Sequence, residues 1–248
     1  MVLTFLVCVV PLLSWSDDAG TISAGDEAFL RIDYAAAVTF YEAELREHPE
    51  DAELLWRLSR AYVCMGEVSD EARQIKVFKT AEAYARRCLA VDSTKPEGHT
   101  WLAGALGYEA WYSGVSEQIR TSQELLREVE YALRLNPNDD IAYSIKGSFY
   151  RALGNVGWLK RRLASLFFGS IPEGGFEESE AAFLKAVSIS PRTMRHLYEL
   201  GILYIDMNRQ DDARKVLRQA SLLPIQTAID RPRLAKIREL LSTLDSNP

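Results

Sequence analysis

The sequence contains Glu47-His48-Pro49, Val91-Asp92-Ser93, Leu135-Asn136-Pro137 and Ile189-Ser190-Pro191 at four points where one amphipathic pattern stops and another begins. Proline and short polar residues end helices, so each stretch predicts a helix terminus. A second signal recurs with the same spacing. Each segment after a stop has a small residue at the equivalent position: Ser59, Gly104, Gly147 and Gly201. Stops and small residues that recur together indicate a repeat of paired helices.

The segments before the stops carry a matching pattern of a small, a bulky and again a small residue. The positions are Ala37, Tyr41 and Glu44 in the first unit, then Ala81, Ala85 and Cys88, then Leu125, Val129 and Ala132, then Ser179, Phe183 and Ala186, then Ala213, Leu217 and Ala220. Only Glu44 is a clear misfit. The pattern resembles the tetratricopeptide helix–turn–helix repeat. The resemblance implies an all-α, right-handed solenoid of about four and a half helical hairpins with a C-terminal capping helix.

The spacing of the stops predicts elongated inserts. Successive stops lie 44, 44 and 54 residues apart, against a usual repeat of about 34 residues. Residues 68–80 contain neither Pro nor Gly and predict a second helix that begins early. Residues 109–122 include Gly114 and predict a break in the hairpin turn. Residues 151–176 form the longest insert, in which two Gly clusters flank a basic, apolar helix.

This longest insert carries the most specific resemblance. It reads Trp158-Leu159-Lys160-Arg161-Arg162-Leu163-Ala164-Ser165-Leu166-Phe167-Phe168-Gly169-Ser170-Ile171-Pro172, followed by Phe176-Glu177-Glu178-Ser179. The order of Trp, basic pair, Leu-Phe, Pro and aromatic-Glu-Glu is similar to that of the regulator of microtubule dynamics family. The resemblance runs from about residue 35 to residue 220 and includes His99-Thr100-Trp101. It implies a repeat protein that acts by contacting other proteins.

The first residues predict export. Residues 2–13 are apolar but shorter than the roughly 20 residues that cross a bilayer as a helix, and Ser14-Trp15-Ser16 follows with small residues at two positions. We expect a signal peptide at 1–16, a linker at 17–25 and no transmembrane span in the mature chain. A buried first helix is the alternative. The remainder predicts one repeat domain over 26–244, with a closing helix at 227–244, and a tail at 245–248.

Composition predicts a folded domain without catalytic chemistry. The chain has 248 residues, of which 48% are hydrophobic and 26% charged, and its net charge of −6 offers no general attraction for nucleic acid. The three histidines are scattered, no phosphate loop or nucleophile elbow is present, and no ligand spacing for a metal occurs. We therefore expect neither enzyme activity nor cofactor. Cys64 and Cys88 are expected to be buried free thiols.

The first helix of each hairpin predicts a binding face. In repeat arrays these helices line the concave side, where a peptide or helix can lie. Arginines there can pair with carboxylates, and aromatic rings can anchor apolar side chains. The candidates for contact with a protein or peptide partner of unknown identity are Arg57, Arg60, Trp101, Tyr108, Arg151 and Tyr198.

A second set of candidates lies in the inserts: Trp111, Trp158, Arg161, Arg162 and Phe168. These residues predict either a partner surface or a pocket for a small apolar ligand. The favoured interpretation is a non-enzymatic interaction scaffold in the periplasm or envelope of a bacterial cell. The alternatives are a periplasmic ligand-binding accessory of a solute transporter and a cytoplasmic microtubule-associated repeat protein.

Overall fold

The computed structural model describes residues 18–112, 114–156 and 173–246. Within these ranges the helices are α1 (Asp18–Leu30), α2 (Tyr34–Glu47), α3 (Ala52–Gly66), α4 (Glu71–Val91), α5 (Pro96–Trp111), α6 (Val115–Leu135), α7 (Asp140–Asn155), α8 (Phe176–Ile189), α9 (Met194–Asp206), α10 (Gln210–Ser221) and α11 (Asp230–Ser246). None of the helices in this part of the chain is both long and apolar enough to cross a membrane.

The four predicted stops share one backbone conformation. His48, Asp92, Asn136 and Ser190 follow the last residues of α2, α4, α6 and α8 with φ between −125° and −139° and ψ between 69° and 96°. Each donates its backbone N–H to the carbonyl four residues earlier. Two of the helices that follow these stops, α3 and α7, are capped by a carboxylate. Asp51 accepts the N–H of Glu53 at 2.7 Å, and Asp139 accepts the N–H of Ala142 at 2.8 Å. The four predicted helix ends are therefore present in the structure and share one geometry.

The helices form two layers. They pair as α1 with α2, α3 with α4, α5 with α6, α7 with α8 and α9 with α10, and α11 packs on α9 and α10. First helices also contact the next first helix, from α3 to α5, α5 to α7 and α7 to α9. Second helices contact their own partner and the first helix that follows. We call the first helices, α1, α3, α5, α7 and α9, the inner layer and the second helices the outer layer.

The core lies between the two layers at the positions that the repeat pattern predicts. The small and bulky residues of the second helices are buried in all units, with Tyr41 and Phe183 wholly enclosed. Gly147 of α7 explains why small residues recur in the first helices, since a Cβ there would lie 2.6 Å from the ring of Phe183. Glu44, the misfit of the pattern, is only partly buried and reaches His48 at 3.4 Å.

The outer helices α4 and α6 are longer than the others in that layer, with 21 residues each. The early start of α4 confirms the predicted early second helix from Glu71 onward, whereas residues 68–70 belong to the turn before it. Residues 109–111 belong to α5 and residues 115–122 to α6. The insert at 109–122 therefore mainly lengthens these two helices, and the predicted break is limited to the short turn between them.

The first helix begins earlier than predicted. The predicted linker at 17–25 is helical from Asp18 onward, because α1 spans Asp18–Leu30. Gly25, the last residue of the predicted linker, lies inside α1 and serves close packing. A Cβ at this position would lie 2.4 Å from the ring of Tyr41. The glycine therefore lets α1 and α2 approach.

The closing helix begins later than predicted, at Asp230 rather than at residue 227. The carboxylate of Asp230 accepts the backbone N–H groups of Gln226 at 3.0 Å and Thr227 at 2.9 Å, which turns the preceding chain away from a helix. Arg233 of this helix is buried, and its guanidinium pairs with the carboxylate of Asp230 at 2.6 Å.

Candidate functional site

The inner layer places Arg57 and Arg60 around one carboxylate of α1. Asp26 accepts hydrogen bonds from Arg57 Nε at 3.2 Å and from Arg60 Nη2 at 3.2 Å. The hydroxyl of Tyr41 donates to the same carboxylate at 2.6 Å. Glu53, one turn before Arg57, accepts a further bond from that guanidinium. Both predicted arginines are thus neutralised within the chain.

Aromatic rings fix the planes of the two arginines. The Arg60 guanidinium lies 3.8 Å from the ring centre of Phe29 and 4.9 Å from that of Trp56, and the Arg57 guanidinium lies 4.5 Å from Trp56. The side chains of Arg57 and Arg60 are only 17% and 21% exposed. Stacking and ion pairing together hold each guanidinium in one orientation. A partner carboxylate would have to compete with Asp26 for them.

Glu67, at the end of α3, joins two distant parts of the array. Its side chain is 3% exposed and accepts hydrogen bonds from the hydroxyl of Tyr108 and from the guanidinium of Arg195. The ring of Tyr108 also stacks on Phe78, with ring centres 4.3 Å apart. Burial raises the pKa of Tyr108 and lowers that of Arg195. The carboxylate therefore compensates a guanidinium that has lost much of its water.

Arg151 of α7 and Tyr198 of α9 both contact residues of the C-terminal part of the array. Arg151 donates to Glu199 at 3.1 Å and lies 3.6 Å from Asp206. The ring of Tyr198 faces the buried Arg233, with 5.6 Å between its centre and the guanidinium. Burial raises the pKa of Tyr198. These contacts seat the start of α11 against the inner layer.

The two ends of the array meet. The hydroxyl of Tyr34, at the start of α2, accepts the backbone N–H of Ala228 at 3.2 Å. Burial raises the pKa of Tyr34 to about 12 and that of the nearby Cys64 thiol to about 11. Together with the contact between Glu67 and Arg195, this bond links the first two hairpins to the C-terminal part of the chain. The inner layer is therefore closed on itself.

The predicted concave candidates accordingly lie in one layer, but each is engaged by the chain itself. Trp101 is half-buried and packs against Val63, Ala81 and Ala105. The others are held by carboxylates or rings that sequence analysis did not single out. Asp26, Glu67 and Glu199 lie 31, 128 and 48 residues from Arg57, Arg195 and Arg151. No local pattern connects residues so far apart.

The second set of candidates is only partly placed. Trp111, the last residue of α5, is 80% exposed. Its neighbour Tyr112 donates a hydrogen bond to the side chain of Gln74 on α4. Trp158, Arg161, Arg162 and Phe168 lie outside the described residues. The insert pocket stays a prediction.

Two buried histidines bind carboxylates across helices. The ring of His99 lies 2.6 Å from Glu128 and 3.0 Å from the carbonyl oxygen of Ser93, so both of its nitrogens face acceptors. Burial opposes its charge, but the hydrogen bonds to Glu128 and to the Ser93 carbonyl, with the charge of Glu128, together outweigh burial and raise the pKa of His99. His196 lies 2.7 Å from Asp140. Over residues 18–112, 114–156 and 173–246 no three His, Cys, Asp or Glu side chains are grouped to hold a metal.

The two cysteines of the described chain are free and buried, as the sequence predicted. The Sγ of Cys88 donates to the carbonyl oxygen of Ala52 at 3.4 Å. Burial raises the pKa of Cys88 to about 12. Both thiols therefore stay protonated and serve packing.

Sequence comparison identifies the relatives of this chain. The family described as Regulator of microtubule dynamics protein 1-3 matches residues 22–245. Regulator of microtubule dynamics protein 1 of Bos taurus is 29% identical over 195 residues, which are 77% of this chain and 62% of that protein. Regulator of microtubule dynamics protein 2 of Mus musculus is 25% identical over 197 residues, or 79% of this chain and 48% of that protein. The predicted family resemblance is confirmed.

The chain spans about half the length of the mouse relative, 48% of that protein. Structural comparison adds a thermophilic TPR protein of Thermus thermophilus, with a TM-score of 0.67 and 20% identity over 90% of this chain and 99% of that one. At 20% identity, this structural similarity shows that the two proteins share a fold. It confirms the predicted tetratricopeptide solenoid.

Proposed function

This chain belongs to the regulator of microtubule dynamics protein 1-3 family, and we propose that it is a non-enzymatic interaction scaffold whose inner layer meets a protein or peptide partner. The observation that carries the proposal is the continuity of that layer. The helices α3, α5, α7 and α9 contact one another in sequence and bring arginine and aromatic side chains to one side. Repeat arrays with such a face bind extended or helical segments.

The paired arginines define how a partner is recognised. Arg57 and Arg60 are oriented before binding, so little conformational entropy is lost when a partner docks. A partner carboxylate exchanges with Asp26 rather than meeting a free cation. Recognition therefore depends on the geometry of the partner carboxylate as well as on its charge.

Site-specific photo-cross-linking tests the proposal. A photoreactive phenylalanine analogue replaces Tyr198 in the inner layer or, as a control, the exposed Lys215 on α10, and each variant is produced in the organism that makes the protein. We expect one protein to cross-link from position 198 and not from position 215. No adduct at 198, or the same adducts at both positions, contradicts the proposal.

A variant at Asp26 tests the part that the arginines play. With the cross-linked partner in purified form, Asp26→Asn removes the carboxylate that competes for Arg57 and Arg60. We expect binding to tighten about threefold, which is the worth of one partly exposed charge pair. Unchanged affinity contradicts a direct contact between these arginines and the partner.

We further propose that the protein is exported to a bacterial cell envelope. Residues 1–17 lie outside the described residues, so the support is the apolar sequence at 2–13 and the small residues before Asp17. Cleavage at that point would leave α1, which begins at Asp18, intact. Fractionation with intact mass measurement tests the proposal. A species that begins at Asp17 in the envelope is expected, and an uncleaved species in the cytoplasm contradicts it.

A further inference from the structure

The outer face of α4 carries an open groove that the inner-layer proposal does not use. Its volume is about 620 Å³. The described residues that line it include the basic residues Lys76, Lys79 and Arg87. Ile75 and Tyr84 supply apolar surface. The side chains recur every third or fourth residue, so they lie along one face of the helix. We call this surface the basic groove.

Much of its positive charge is uncompensated. Arg73, one turn before the groove, and Lys76 and Lys79 within it are exposed, and they form no ion pair with any residue of the described ranges. Arg86, on the neighbouring face of α4, behaves differently, since it pairs with Glu82 at 2.7 Å and Glu124 at 2.8 Å. Arg87 donates to the carbonyl oxygen of Pro49 at 3.3 Å, and Lys79 interacts electrostatically with Glu109. The groove therefore presents exposed lysines that no carboxylate of the described residues holds in an ion pair.

The positive charge is also concentrated on one helix of the outer layer. The sequence of α4 contains five basic and two acidic residues. The sequence of α2 contains three acidic residues and one basic residue, and α8 has the same balance. The sequence of α10 contains three basic and two acidic residues, so its excess of basic residues is one against three in α4. In a chain of net charge −6, this concentration of positive charge on α4 favours a negatively charged partner there.

We propose that the basic groove docks an acidic segment of another protein, which adds a second surface to the proposed scaffold and rests on that function. The distance along α4 from Lys76 to Arg87 is about 16 Å, a length that suits roughly three turns of a helix. Carboxylates on such a segment meet Lys76, Lys79 and Arg87, while an apolar side chain covers Ile75 and Tyr84. A flat anionic membrane fits less well, because the basic residues are concentrated on α4, whereas α2 and α8 carry more acidic than basic residues.

A binding assay with a defined probe tests the inference. The probe is a fluorescein-labelled helical peptide with glutamates along one face and leucines beside them, and its counterpart has glutamine at every glutamate. The variant Lys76→Glu/Lys79→Glu reverses two charges in the groove. Lys185→Glu/Lys215→Glu reverses two exposed lysines on α8 and α10, so it changes the net charge equally. Circular dichroism confirms that both variants are folded.

We expect the parent to bind the glutamate peptide, with affinity falling as salt is raised. The groove variant should lose at least about tenfold in affinity and the control variant less than about twofold. Equal losses in both variants, or equal binding of the glutamine peptide, overturn the inference. Stronger, groove-dependent binding to phosphatidylserine and phosphatidylcholine vesicles also overturns it and assigns the groove to membranes.

The result is separable from that of the scaffold test. If the peptide does not bind but position 198 still cross-links to a partner, only the basic groove is refuted. If position 198 yields no adduct while the peptide binds the groove, the inner layer is refuted as the docking face.

Discussion

The inner layer and the basic groove use charge in opposite ways. In the inner layer Arg57, Arg60, Arg151 and Arg195 each contact a carboxylate of the chain. Along the groove Lys76 and Lys79 contact none among the described residues. The difference follows from solvation, because a charge that loses its water needs a partner in the fold, whereas an exposed charge is stabilised by water.

This contrast separates charges that serve stability from charges that are free for recognition. Removing a partner in the inner layer should cost folding free energy. Changing a lysine of the groove should leave folding free energy unaltered and affect binding alone. The expected loss of stability decreases from Glu67→Ala through Asp26→Asn to the groove variant. A fourth variant, Glu109→Gln, should instead raise stability at high pH.

Glu67→Ala should be the most destabilising. It leaves the guanidinium of Arg195 and the hydroxyl of Tyr108 without their acceptor in a buried place, which costs about 3 kcal/mol of unfolding free energy. Urea denaturation followed by circular dichroism measures the loss. The exposed Glu130→Ala is the matched control and should change stability by less than about 0.5 kcal/mol. Equal effects of the two variants would remove the distinction between the inner layer and the surface.

Asp26→Asn should cost less, about 1 to 2 kcal/mol. The amide still accepts one hydrogen bond, but the charge that holds Arg57 and Arg60 is lost. The carboxylate is 35% exposed, so water replaces part of the interaction. Denaturation of the variant in the same urea series measures the cost. A loss as large as that of Glu67→Ala contradicts the graded role of burial.

Glu109 lies where the two layers meet and should make stability depend on pH. Burial and a hydrogen bond with Glu82 of α4 raise the pKa of Glu109 from 4.5 to about 8. A raised pKa in the folded state means that the folded protein binds the proton more tightly. Its stabilising contribution is therefore full below pH 4.5 and lost as the pH rises through about 8.

Melting temperatures of the parent and Glu109→Gln measure this effect. Glutamine mimics the protonated carboxyl, so the two proteins should melt alike in acid, and the variant should melt higher above the raised pKa of Glu109. Subtracting the two curves removes other titrating groups such as His99. Parallel melting curves over the whole range contradict a shared proton between Glu82 and Glu109.

Lys76→Glu/Lys79→Glu should have the smallest effect on folding. Since neither lysine has an ion-pair partner within the described chain, the unfolding free energy should stay within about 0.5 kcal/mol of the parent. The same urea series provides the value. A loss comparable to that of Asp26→Asn would show that the groove lysines serve the fold, contrary to the contrast with the inner layer.

The sequence predicts most of the fold because its signals are local. Each stop depends on a few neighbouring residues, and the stops that end at His48, Asp92, Asn136 and Ser190 adopt one conformation. The small and bulky positions likewise follow from contact within a hairpin. The linker predicted at 17–25 was wrong from Asp18 onward, because a glycine such as Gly25 can mark the end of a helix in one context and close packing in another.

The candidate site is less predictable, because it depends on how the array curves. The sequence spacing predicts that Arg57 and Arg60 share one face of a helix. It does not predict that Asp26 lies between them. Neither does it show that α3 reaches α9 through Glu67 and Arg195, a contact across 128 residues. Superhelical curvature accumulates over several hairpins, so small changes in packing decide which residues meet.

A double-mutant cycle on Glu67 and Arg195 tests the closure of the inner layer most directly. The unfolding free energies of Glu67→Gln, Arg195→Gln and the double variant are compared with that of the parent. Closure predicts a coupling energy of about 2 kcal/mol, because the two side chains stabilise each other across the array. Additive effects, within about 0.5 kcal/mol, would contradict a closed inner layer.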